Sequence, residues 1–467
     1  MIDKEKEQKE IERLRRDQSF QGSRNYFWIL IAVLTVIYVV DELTSSVRGA
    51  VQTYTICDLF NTTFDSAEYA GAQATLGLVT TGCYLIFLIS PLYKSLADKY
   101  GRKIFLVINT IGMGVGMLLC IISSSMIVYL MGCVVMTFFT PNDAQVLYIM
   151  ECAPKKHRAK LCSITKGIAL ISVSLLGFMI RAFVSYDNPS SWRYVFVLPI
   201  ILAFVIGLLA IYFVKETPVY TNERLAYLEM SEEERIAKEE EAKAQNKSGE
   251  EMGVMAAFKY IFRHKQTKAI AIVCIILAFS TGYTGMYEPM LTAGISQGVM
   301  SVADKETFMI IYPLFNGILT LVSGFITDHF GRKKSAIILG LWTAVGLAIF
   351  VMGCTIGLPA LATSIGYGLS IAGLWSVSDM LYFVITSEST PTRQRGAVVG
   401  CMQLIGMVGT GLNMVFNALS SMIFGTSHLA IGLSLTYLPI LAIALVIMML
   451  KIEETKNVDL DNIGEEE

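Results

Sequence analysis

Charge is what this chain has little of: Asp, Glu, Lys and Arg make up 16% of its 467 residues, against 54% hydrophobic. That balance excludes an ordinary soluble domain and calls for a polytopic membrane protein. A formal net charge of -2 gives no reason to expect nucleic acid or a generally anionic partner. Histidine is scarce too. His157, His264, His329 and His428 are scattered, and no Ser, Cys or metal-ligand grouping stands at catalytic spacing, which argues against an enzyme and leaves no metal or cofactor to expect. The nine cysteines, among them Cys83, Cys120, Cys133, Cys162, Cys274 and Cys401, fall mostly singly in apolar segments and read as filler. No nucleotide-binding glycine loop is present, so ATP is not expected to drive anything here.

What the chain has instead is long apolar runs. A hydrocarbon core of ~30 Å takes ~20 residues of helix, and on that measure twelve spans are predicted. They run roughly over 26–52, 69–93, 103–122, 126–151, 161–184 and 193–215, then 268–291, 307–330, 335–354, 360–388, 397–423 and 428–451. Lys and Arg crowd the loops after spans 2, 4, 8 and 10 and are missing from 57–68 and 123–126, so the basic loops and both termini are expected in the cytoplasm. Residues 1–25 then read as a cytoplasmic tail, 216–267 as a cytoplasmic helical linker rich in Lys and Glu, and 452–467 as a second tail. Asn61-Thr62-Thr63 forms a glycosylation sequon in a predicted outer loop.

The two sets of spans are copies. Asp98, Gly101, Arg102 and Lys103 return as Asp328, Gly331, Arg332 and Lys333, an offset of roughly 230 residues. Glu151, Pro154 and Arg158 return as Glu388, Pro391 and Arg395 with the same spacing. A glycine turn between an acid and two cations suits an ion-paired latch, in which Arg102 reaches a carboxylate elsewhere in its half. Glu151 and Glu388 close spans 4 and 10, and Glu216 and Glu454 after spans 6 and 12 add further carboxylates. An exposed pair contributes at most ~1 kcal/mol, so only a network across several loops can bias a conformational equilibrium.

These motifs resemble those of the major facilitator superfamily, and within it the sugar porter and organic ion transporter branch. Asp-x-x-Gly-Arg-Lys resembles the signature after helices 2 and 8, and Glu-x-x-Pro-x-x-x-Arg the branch's turn after helices 4 and 10. Glu216-Thr217-Pro218 and Glu454-Thr455-Lys456 resemble its endings of helices 6 and 12. The resemblance implies an all-α membrane protein of twelve helices in two pseudo-symmetric six-helix bundles, 26–215 and 268–451. This chain departs from the pattern at Lys94 and Val219, and span 7 reads Phe279-Ser280-Thr281-Gly282-Tyr283-Thr284 where sugar porters place a Gln-Gln pair. That departure argues away from a hexose.

Ionisable groups at mid-membrane cost ~2.5–3.5 kcal/mol on insertion scales and so point to a role. Asp41 and Glu42 lie in span 1, Asp143 in span 4, Arg181 in span 5, Glu288 in span 7 and Asp379 in span 10, with Arg48 near the outer part of span 1. In the resembled fold, helices 1, 4, 7 and 10 line the central cavity, and these acids fall on those helices. Asp41, Glu42 and Asp143 are therefore candidates for proton coupling, with Asp41 preferred, because a carboxyl in a dry cavity takes up a proton on one side and releases it when wetted on the other. Arg181, Tyr283, Tyr287, Glu288, Trp375, Asp379 and Asn413 are candidates for the substrate cavity. An excess of acids leans toward organic cations or neutral solutes, with aromatic faces available to an ammonium group.

The expected protein is a monomeric secondary transporter of the plasma membrane, moving a small organic solute with protons by alternating access. Two alternatives stand beside it: a proton-coupled carrier of a sugar or organic anion, with Arg181 as the anion contact, and a sensor that binds solute and signals through the linker without transport.

Overall fold

The predicted spans are helices in a computed structural model, which describes residues 2–21, 23–89, 93, 96, 100–140, 144–154, 158–185, 187–231, 233–235, 254–390 and 395–455. The first half contains α1 (Ile2–Gln21), α2 (Arg24–Ala50), α3 (Gln52–Phe60), α4 (Tyr69–Cys83), α5 (Arg102–Ile121), α6 (Met126–Phe139), α7 (Ala144–Cys152), α8 (Arg158–Ser172), α9 (Ser174–Phe183), α10 (Arg193–Phe213) and α11 (Pro218–Glu229). The second contains α12 (Val254–Arg263), α13 (Lys265–Ser280), α14 (Tyr287–Ser296), α15 (Val302–Phe330), α16 (Arg332–Ile356), α17 (Ala360–Asp379), α18 (Arg395–Phe424) and α19 (Leu429–Lys451). Eleven stretches among the described residues are long and apolar enough to cross a bilayer. The remaining span of the twelve-helix fold is α4, continued by a 3-10 segment over Tyr84–Ile89.

Several spans are not straight helices. Span 1 breaks at Val51, between α2 and α3; span 7 tightens to a 3-10 turn over Thr281–Gly285; span 10 loosens to a π-helical turn over Met380–Ile385. These three are among the spans that the sequence singled out for intramembrane acids. Irregular backbone is tolerated at membrane depth only where other groups satisfy the freed carbonyls and N–H groups.

Packing divides the chain into two compact units that cut across the sequence halves. One comprises Met1–Arg48, Gly82–Val173 and Arg193–Ala244; the other comprises Gly49–Thr81, Ser174–Trp192 and Gln245–Glu467. The second unit centres on fully buried Phe308, Phe350 and Tyr367, with Phe350 and Tyr367 ring centroids 4.6 Å apart and Tyr287 against Tyr367 at 5.2 Å. Asn61 ends α3 in the left-handed conformation (φ 51°), a role asparagine fills better than most residues.

The tail and the start of the linker form a brace within the first unit. Thr217 caps α11, with Pro218 at its first position. On it lies α1: Leu14, 0% exposed, packs with Tyr220, Leu225 and Leu228, and Ile11 covers the edge. Arg224 grips the Glu10 carboxylate with two bonds (3.0 and 3.2 Å), Arg15 pairs with Glu229 at 2.9 Å, and Arg235 with Glu7 at 3.0 Å. The expected tail is thus a docked helix. Leu14→Ala is expected to weaken that docking by about 2–5 kcal/mol, read as faster amide exchange across α1 with the membrane helices unchanged. Unaltered exchange in α1 would show that Leu14 does not hold it.

Candidate functional site

Each half carries the same charged turn, built from one glycine and two glutamates. In the first unit Gly101 turns the chain with φ 105° and ψ 147°, and α5 starts at Arg102. The first N–H groups of a helix have no intrahelical partner, and here Glu216 accepts from the backbone N–H of Arg102 (2.9 Å) and Lys103 (3.1 Å). A carboxylate is the favourable charge at that end of the helix dipole. The Arg102 side chain turns to Glu151, 3.2 Å away, in a largely buried pair. Burial pushes the Glu216 carboxyl above the usual carboxylate range, against the pull of the N–H groups of Thr217, Lys103 and Arg102. Through Gln21, which donates to the Glu216 carbonyl (3.0 Å), and Asp17, which accepts its N–H (3.5 Å), α1 reaches the same turn.

The second unit repeats this at Gly331 (φ 88°). Glu454 accepts from the N–H groups of Arg332 (2.8 Å) and Lys333 (3.2 Å), the Arg332 guanidinium lies 3.1 Å from Glu388, and Thr455 donates to Glu388 at 2.5 Å. Arg395 donates to the Ser387 carbonyl at 2.9 Å. The latch expected from sequence therefore has a defined form, in which Glu216 and Glu454 hold helix starts and Arg102 and Arg332 bind the glutamates that close spans 4 and 10. Asp98 and the side chains of Arg158 and Asp328 lie outside the described residues.

Within the first unit, Asp41 is 7% exposed on α2 and accepts a hydrogen bond from Gln145 Nε2 on α7 at 3.0 Å. An amide N–H donates to a carboxylate and orients it. Glu42 is half-buried on the same helix, and Asp143 lies outside the described residues. Sequence reasoning missed Gln145; its only signal was an amide in an apolar run two positions beyond Asp143.

In the second unit the break in span 7 organises the polar groups. Asn413 donates to the Ala278 carbonyl (2.8 Å), Asn417 to Gly282 (2.7 Å) and Tyr367 to Thr284 (3.3 Å), supplying partners that a continuous helix would provide itself. Tyr437 bonds Asn417 Oδ1 at 2.5 Å, and buried Tyr283 shares a 2.5 Å bond with Ser370. Tyr287 is buried in the aromatic core, while Trp375 is 47% exposed and Asp379 is exposed at the start of the π-helical turn. Arg181 lies 3.7 Å from Glu306, and Glu288 is fully buried against Lys305. Lys305, 2% exposed, was missed because it stands in the first turn of α15, where a lysine reads as a loop charge.

Two latches, twelve spans and interruptions in spans 1, 7 and 10 describe one architecture, and a family model described as sugar (and other) transporter matches residues 33–466. The chain belongs to this family. It is similar to the glucose transporter GlcP of Staphylococcus epidermidis, 24% identical over 383 residues that span 79% of this chain and 83% of GlcP. In fold it is similar to the D-xylose-proton symporter (TM-score 0.64, 16% identity, 92% of this chain and 99% of that one). A bacterial homolog of the human lysosomal transporter Spinster is equally similar (TM-score 0.64, 16% identity, 92% and 96%). This sugar-porter-family chain is a multi-pass membrane protein and a secondary transporter, not an enzyme.

Family membership does not carry the lean toward organic cations; the alternative of a sugar carrier fits it. The lean rested on a surplus of intramembrane acids, and that count omitted Lys305, which pairs with Glu288, one of those acids. In this family member the latches also differ. A Cβ on Gly101 would stand 2.5 Å from the buried Glu216 carboxylate, whereas one on Gly331 would stand 3.0 Å from the exposed Glu454, which can swing away. Both substitutions strain the backbone by about 1–3 kcal/mol. Gly101→Ala is therefore expected to lower the melting temperature of the purified protein more than Gly331→Ala, and equal losses would mean that Glu216 yields as easily as Glu454.

Proposed function

We propose that this chain carries a sugar or a closely similar neutral polyhydroxylated solute across the plasma membrane together with protons, alternating access between two faces. The observation that carries the reading is the family match over residues 33–466. The reading is supported by two similar proteins, the glucose transporter GlcP and the D-xylose-proton symporter. A neutral solute is also consistent with Glu288 being matched by Lys305 and Arg181 by Glu306. The six-helix bundles 26–215 and 268–451 are the bodies that rock, with both termini in the cytoplasm and the protein acting as a monomer.

Asp41 is the proton carrier in this reading. It is buried, and Gln145 steadies one of its oxygens. Proton uptake from the acidic side accompanies loading, and the proton leaves when the site opens to the other side. Uptake of labelled D-glucose and D-xylose into proteoliposomes, with and without an imposed pH gradient, tests this. Asp41→Asn is expected to abolish gradient-driven accumulation while sparing solute exchange. Accumulation at the original level in the variant would remove Asp41 from the role, and binding without any flux would favour a sensor.

A further inference from the structure

Glu288 and Lys305 form the most completely buried ion pair among the described residues, and neither the latches nor Asp41 uses it. Lys305 Nζ donates to Glu288 Oε1 and to Thr292 Oγ1 (2.8 Å) and stands 4.8 Å from the centre of the Tyr54 ring. The other carboxylate oxygen, Oε2, is held by Thr53, through its backbone N–H (2.9 Å) and its hydroxyl (2.6 Å). Thr53 lies in the first turn of α3, so the carboxylate sits at a helix start as Glu216 and Glu454 do. Tyr69 of α4 donates to the Thr53 hydroxyl at 3.4 Å.

This contact joins segments distant in sequence at one end of the second unit. Lys305 stands in the first turn of α15, whose last residue, Phe330, adjoins the Gly331 latch. At 1.5 Å per residue, the two ends of this helix are roughly 40 Å apart. At the Lys305 end the chain is also sealed by Gln73 of α4, which donates to the Asn417 carbonyl (3.1 Å) and Ser420 (3.2 Å) of α18, and by the Trp192 indole, which donates to Asp58 of α3 (3.0 Å). The seal is thus made by outer pieces of first-half spans held to second-half helices, and among the described residues its fully buried charges are Glu288 and Lys305.

We propose that Thr53, Glu288 and Lys305 are the gate of the face opposite the basic loops. The inference rests on the alternating-access reading, which requires that face to open. When α3 leaves, Glu288 Oε2 loses both donors and must be met by water, while Lys305 and Thr292 keep Oε1. The ion pair therefore stays with the second half, and the Thr53 contacts are what break. Glu288 acts here as a positioning residue for the closed face and touches no solute.

The test needs no solute, so a failure to transport the sugars tried would bear on the proposed substrate and leave the gate to be judged separately. Spin labels introduced through an unnatural amino acid at exposed Thr63 and Gln297, with the native cysteines kept, report the distance across this end in liposomes. Thr53→Val, which removes one donor, and the exchange Glu288→Lys/Lys305→Glu, which keeps the ion pair but turns an ammonium toward the Thr53 N–H, are compared with the unaltered chain. Both are expected to raise the ratio of long to short distances, the exchange by on the order of tenfold or more. Unaltered distances in the exchange variant would overturn the gate and leave a plain structural ion pair. Should the exchange variant not fold, Thr53→Val decides alone: a longer distance supports the gate and the original distribution overturns it.

Discussion

A carboxylate placed on the free N–H groups of a helix start is the interaction on which the rest of this structure depends. Glu216 holds the start of α5, Glu454 the start of α16, and Glu288 the start of α3. Helix starts near or within a membrane have few alternatives, because water is scarce and each unsatisfied N–H is costly. A glutamate from another helix meets that need and fastens two elements with charge-assisted bonds that a shift of one or two ångströms breaks. Such contacts suit a protein that must be rigid in each of two states and cross between them.

The same requirement explains the polar residues of the second unit. Tightening span 7 to a 3-10 turn frees carbonyls at Ala278, Gly282 and Thr284, and Asn413, Asn417 and Tyr367 each donate to one of them. These side chains fix the break in place, and the break sets the direction of α14, which carries Tyr287 and Glu288 into the aromatic and charged core. Side chains that would read as solute ligands by chemistry alone are here committed to the backbone.

Much of the fold was legible because membrane physics writes it plainly: apolar length gave the spans, and repetition of Gly101-Arg102-Lys103 as Gly331-Arg332-Lys333 gave the duplication. Arg102, expected to reach a carboxylate across its half, lies 3.2 Å from Glu151. What Glu216 does was not legible, since its partners are backbone N–H groups that no residue type announces. Lys305 was hidden by its place beside the Ser301–Asp304 capping box, where a charge ordinarily faces water. Gln145 was hidden because an amide in an apolar run has no preferred partner until α2 and α7 are packed together. The docking of α1 was not foreseen either, because a charged amphipathic tail reads the same whether it is solvated or seated on α11.

Proton-coupled sugar movement is the claim that gathers these features into one mechanism. It is tested most directly by the pH of the medium around proteoliposomes, recorded with a membrane-impermeant dye as D-glucose or D-xylose is added without any imposed gradient. Coupled entry predicts an immediate alkalinisation that depends on both protein and sugar. Entry of labelled sugar at the same time with no change in external pH would contradict it.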